Sequence, residues 1–122
     1  MRRHITLLLL LTTVLTAVPA AWAWTPRRKR FNPAMIARYK GMLAGKPADN
    51  FAFRKLTSMY QSYSTLDRLI LEYRRAIKKA PQDYTYRVVL ARLYLKIDRL
   101  DEATVQLQQA LKLNNKRYEA HK

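Results

Sequence analysis

Part of this chain repeats itself. Laid without gaps over residues 83–116, at an offset of 34 residues, residues 49–82 return identical partners at Asp49/Asp83, Leu56/Leu90, Tyr60/Tyr94, Leu66/Leu100, Asp67/Asp101, Ala76/Ala110 and Lys78/Lys112. Met59/Leu93, Tyr63/Ile97 and Ile77/Leu111 keep apolar bulk, and the register continues outside the window at Pro47/Pro81 and Tyr84/Tyr118. Such a period constrains the fold strongly. A unit of this size cannot bury its own apolar face, so it must stack on its copies.

Inside each unit the apolar residues return every three or four positions, which places them on one face of a helix. Phe53, Leu56, Met59/Tyr60 and Tyr63 form the first run, and Leu66, Leu69/Ile70, Tyr73 and Ala76/Ile77 the second. The copy reads Val89/Leu90, Leu93/Tyr94 and Ile97, then Leu100, Ala103, Leu107 and Ala110/Leu111. Side chains suited to helix starts stand at the breaks: Asp49 or Asn50, Ser64 or Thr65, Asp83, and Asp98. Asp67, and Asp101 with Glu102, then fall in first turns, where the helix dipole favours negative charge. Pro47 and Pro81 separate the units and prevent continuous helix. Upstream, Asn32-Pro33 predicts another helix start, with Phe31 and Ile36 spaced as a hydrophobic staple and Gly45 as its C-cap.

A helix-turn-helix unit of this period resembles the tetratricopeptide repeat. Unit one carries the family's pattern as Phe53, Leu56-Thr57, Tyr60, Leu69, Tyr73, Ala76 and Pro81, and unit two as Arg87, Leu90-Ala91, Tyr94, Ala103, Leu107, Ala110 and Asn115. The departures are Leu69 for alanine at the closest helix approach, Arg87 for an aromatic, Ser64 and Asp98 for the inter-helix glycine, and Asn115 for the closing proline. Met35, Tyr39 and Met42 occupy the second-helix positions of a preceding half-unit. The expectation is all-α: a short tetratricopeptide-like helix-turn-helix solenoid with a half-repeat helix at 32–47, repeats at 48–83 and 84–117, and residues 118–122 opening a further helix. An array ending there leaves part of its last full helix uncovered, unless a partner helix or self-association covers it.

The first residues read differently. Arg2, Arg3 and His4 precede an apolar run of 14 residues, Ile5 to Val18, then Pro19 and the small-x-small exit Ala21-Trp22-Ala23. Those are the parts of a secretory signal peptide spanning 1–23. The alternative is an uncleaved anchor, although a membrane-spanning helix needs about 20 apolar residues. The expected setting is export, to a bacterial periplasm first and by secretion as the alternative. Removal of 1–23 takes away two of the 24 basic residues and none of the eight acids, so the net charge falls from +16 to +14. The chain has no cysteine, so helix packing rather than disulfides must supply its stability.

The resemblance implies that the first helix of each unit lines a concave, peptide-binding face. Its inner positions are Phe51, Arg54, Ser58 and Gln61 in unit one, and Thr85, Val88, Arg92 and Leu95 in unit two. Arg54 and Arg92 suit carboxylate pairing, which a guanidinium makes bidentately. The partner expected is another protein with an acidic segment, with self-association or a completing helical subunit as further options. Arg27, Arg28, Lys29 and Arg30 form a basic leader within 24–31. That run, with Arg74-Arg75, Lys78-Lys79, Lys112 and Lys116-Arg117, leaves a membrane surface or a polyanion open as the alternative partner. A solvated helix face explains the dispersed charges equally well. No catalytic residue, metal site, cofactor or small-molecule substrate is expected, since the body holds one histidine, His121, and no phosphate loop. The acidic cluster Asp98, Asp101 and Glu102 suits helix capping better than acid–base work.

Overall fold

The computed structural model describes residues 31–63 and 65–119. The expected signal segment, the Arg27–Arg30 run, Ser64 and residues 120–122 lie outside them. Every described element is helical: α1 (Pro33–Gly45), α2 (Asn50–Tyr63), α3 (Leu66–Lys79), α4 (Tyr84–Lys96) and α5 (Leu100–Glu119). Among the described residues, no helix is long and apolar enough to cross a membrane.

Local chemistry sets most helix starts. Asn32 Oδ1 accepts the Met35 N–H at 3.2 Å with Pro33 in the first turn, Asp49 Oδ1 accepts the Ala52 N–H at 3.0 Å, and Asp83 Oδ1 accepts the Tyr86 N–H at 3.1 Å. Each cap stabilises its helix by about 1 kcal/mol. Thr65 holds the N-cap position of α3 without a side-chain capping bond. Gly45 is not the C-cap. It is the last residue of α1, Lys46 takes the cap with its N–H on Met42 O, and no described glycine has a positive φ.

Asp98 does not cap α5 either. Its φ is +59°, and the helix begins two residues later at Leu100. It occupies the left-handed turn, the place where the resemblance puts glycine, and an L-residue there is strained. Asp98→Gly is therefore expected to stabilise the chain by about 0.5–1 kcal/mol, after the greater unfolded-state freedom of glycine is subtracted. The check is a thermal melt, with a rise of several degrees for a domain of this size.

Successive helices pack on one another, and α1 also meets α4. Leu43, Leu56, Leu69, Leu90 and Leu93 are fully buried between them, with Tyr60 beside them. The backbones of α4 and α5 stay close over more of their length than those of α2 and α3. The equivalent positions Leu69 and Ala103 account for this. Both are buried, and a leucine needs more room between two helices than the alanine of the copy.

α5 departs from expectation twice. It runs unbroken through Glu119, so residues 118–119 continue it rather than open a further helix. Asn114-Asn115 is a weak stop, because asparagine lowers helix propensity without blocking a backbone hydrogen bond. Its buried face is also narrower than the spacing suggests. Ala103 and Ala110 are buried, whereas Leu100, Leu107 and Leu111 remain exposed.

Candidate functional site

The four inner positions of α2 fall at intervals of three, four and three residues, so they share one face. Phe51, Arg54, Ser58 and Gln61 are all exposed. Phe51 is 50% exposed although aromatic. Its ring meets Tyr39 of α1 edge-on at 6.1 Å, and Lys55 Nζ lies 5.8 Å from its centroid. Phe51, Arg54, Lys55 and Ser58 line a shallow cleft of about 400 Å³. Gln61 lies apart, in a depression with Thr65, Leu66, Asp67 and Ile97.

The four α4 positions do not join them in one groove. Arg92 is committed internally: its guanidinium donates to Pro47 O at 2.7 Å, Asp49 O at 3.2 Å and Asn50 Oδ1 at 2.7 Å, and lies 4.1 Å from the centroid of the Phe53 ring. Burial lowers the Arg92 pKa and Asp49 opposes that shift; the group stays charged. It clasps the α1–α2 turn to α4 and is not available for a ligand carboxylate. Thr85 donates to Asp83 Oδ1 at 2.6 Å and lines a recess with Ala44, Gln82, Tyr84, Leu113 and Lys116. Val88 is half-buried, and Leu95 is 45% exposed. Arg87, which replaces an aromatic, donates to Pro81 O at 3.1 Å, to Gln106 Oε1 at 3.2 Å and to Gln109 Oε1. Arg74, Arg75, Lys78 and Lys79 on α3, and Lys112 and Lys116 on α5, are exposed.

Sequence reasoning missed Lys55 and one polar cluster. Glu72 Oε2 accepts from Lys40 Nζ and from the Tyr60 hydroxyl, both at 2.6 Å, and Arg68 Nε lies 3.5 Å from Oε1. A cleft of about 300 Å³ adjoins it, lined by Lys40, Gly41, Ala44, Glu72, Tyr73, Ala76 and Tyr86. The cluster ties α1, α2 and α3 together. Only the i, i+4 spacing of Arg68 and Glu72 hinted at it.

Burial alone would raise the Glu72 carboxyl, but hydrogen bonds from Lys40 and Tyr60 and the charges of Lys40 and Arg68 outweigh it and hold the group below the usual carboxylate range. Burial and the bond to Glu72 push the Tyr60 hydroxyl up. A carboxylate whose folded pKa is depressed contributes stability that is complete above the unfolded value, about 4.3, and lost as pH falls through the folded value. Urea midpoints should therefore drop as pH is lowered past about 4. Glu72→Gln, measured over the same range, should drop less.

Among the described residues, no group of three or more His, Cys, Asp or Glu side chains is placed to hold a metal ion. Compared with protein-family models, curated proteins and solved structures, the chain matches none.

Proposed function

We propose that this chain is an exported, non-enzymatic adaptor, a tetratricopeptide-like array that binds an acidic segment of another protein on the exposed Phe51–Ser58 face of α2. The observation that carries this reading is the Phe51–Arg54–Lys55–Ser58 cleft. An exposed aromatic stands beside two exposed cations on one rigid helix face. Exposed aromatics and arginines are the residues that most often anchor a partner. Phe51 would seat an apolar side chain, Arg54 would take a carboxylate in two parallel hydrogen bonds, and Lys55 would add a point charge. The net charge of +14 that remains after removal of residues 1–23 would speed encounter with an acidic partner. The signal-like segment supports export, with a periplasm as first setting.

The test is a pull-down from the native organism's envelope fraction with residues 24–122, comparing wild type with Arg54→Glu and Phe51→Ala. Both side chains are exposed, so both variants should fold. One defined protein retained by wild type and lost by both variants is the expected result. If both variants retain the same material, the α2 reading fails.

A second reading rests on the exposed quartet Arg74, Arg75, Lys78 and Lys79 along α3, together with the Arg27–Arg30 run: binding to an anionic polymer or membrane surface. Its signature is a steep, uniform loss of binding with salt. Binding on α2 should instead depend on partner sequence.

A further inference from the structure

α3 and α5 are the second helices of the two units, and the offset of 34 residues pairs Leu66, Tyr73 and Ile77 with Leu100, Leu107 and Leu111. On α3 these positions are covered. Leu66 is 7% and Tyr73 5% exposed, Ile77 packs against the core, and the Tyr73 ring meets Tyr86 of α4 edge-on at 6.0 Å. On α5 the equivalent leucines are 62%, 39% and 60% exposed. At 3.6 residues per turn the three fall within about 40° of arc, a single apolar stripe. One sequence pattern is thus buried in its first copy, where α4 follows and packs on α3, and bare in its second.

We propose that the Leu100–Leu107–Leu111 stripe is a docking surface for an acidic amphipathic helix of a partner protein, which lies on α5 as α4 lies on α3. The internal copy defines the shape of the occupant. α4 brings Tyr86, Val89, Leu90 and Leu93 to the core at helical spacing, so the partner helix carries large apolar residues at the same intervals. Charge defines its chemistry. The chain has 24 basic residues against eight acids, and a second copy would meet it with the same positive sign. Lys112 and Lys116, exposed in the C-terminal half of α5, form no ion pair among the described residues. At 3.6 residues per turn they stand about 120° and 160° round α5 from the stripe, so they add to the positive field of the chain rather than touch the occupant, and that field favours Asp or Glu over Lys on the partner helix's other faces. This surface is separate from the α2 cleft.

The test uses the full chain and a fluorescein-labelled synthetic helix of about 16 residues, with Tyr, Val and Leu at the α4 core spacing and Glu on its other faces. A second peptide carries Lys in place of Glu. Anisotropy titration should show binding of the Glu peptide, weakened about tenfold or more by Leu107→Glu/Leu111→Glu. The Lys peptide should bind no better than that variant does. Leu111→Ser alone should weaken binding in the same direction, which protects the test if the double variant folds poorly. The Arg54→Glu chain separates the two surfaces: loss of peptide binding there overturns the placement on α5. So do three other results: no binding of the Glu peptide to wild type, equal binding to the stripe variants, or self-association in sedimentation that the stripe variants abolish, which assigns the stripe to a second copy. The chain lacks cysteine, so Leu111→Cys gives a single label site. Rapid maleimide labelling of the lone monomer is expected. Slow labelling would mean that the chain's own residues 1–30 cover the stripe, and would overturn the proposal.

Discussion

Leu69→Ala is expected to destabilise the chain by roughly 3–5 kcal/mol, read as a fall in the urea midpoint with little change in slope. That is a large share of the about 5–15 kcal/mol that holds a domain folded. The tetratricopeptide pattern has alanine at this position, so by pattern alone the change would look harmless or favourable. The packing gives the opposite result. Leu69 is fully buried between helices that stay close over less of their length than α4 and α5 do, and removing three carbons leaves a void that the surrounding helices refill only in part. The reverse change in the copy, Ala103→Leu, forces extra atoms into a closely packed pair and should destabilise by about 1–3 kcal/mol. If Leu69→Ala lost less than about 1 kcal/mol, α2 and α3 would have closed onto each other as α4 and α5 do.

Arg92→Ala is expected to destabilise by about 2–4 kcal/mol, because charge-assisted hydrogen bonds and a cation over a ring are lost together and the carbonyl of Pro47 is left half-buried without its donor. Arg92 is only partly buried, so water offsets some of that loss. Arg92→Lys should recover little, since one ammonium cannot reach three acceptors in a fixed fork. Chemical denaturation of the three proteins decides the matter. Stability unchanged within about 0.5 kcal/mol, together with loss of partner binding, would return Arg92 to the binding face.

The sequence made the helices legible because their signals are local. Asn32, Asp49 and Asp83 cap the helices that they precede, and Pro47 and Pro81 stand in turns. The period located the buried residues of α2, α3 and α4, since each lies on a face covered by a neighbour. It misjudged α5, because spacing reports which residues share a face and not whether anything lies over it. Asp98 misled for a related reason: aspartate suits both a cap and a left-handed turn, and only the backbone angle separates the two. The role of Arg92 was hidden because its acceptors lie 42 to 45 residues away and two are backbone carbonyls, which no side-chain pattern records. Phe51, Arg54 and Ser58 were found by counting along a helix, and Lys55 was missed because it sits one step off that register.

The contact of α1 with α4, and the Lys40–Glu72 pair across 32 residues, bear on how the molecule comes apart. In a one-dimensional array each unit touches only its neighbours, so ends can melt while the middle stands. Here the first helix is a wall of the unit two places along, and the clasp from α4 returns to the turn that follows α1. Unfolding from the N-terminus cannot remain local. Loss of α1 also removes support from α4, and α4 is the close partner of α5, so the five helices are expected to unfold as one cooperative block.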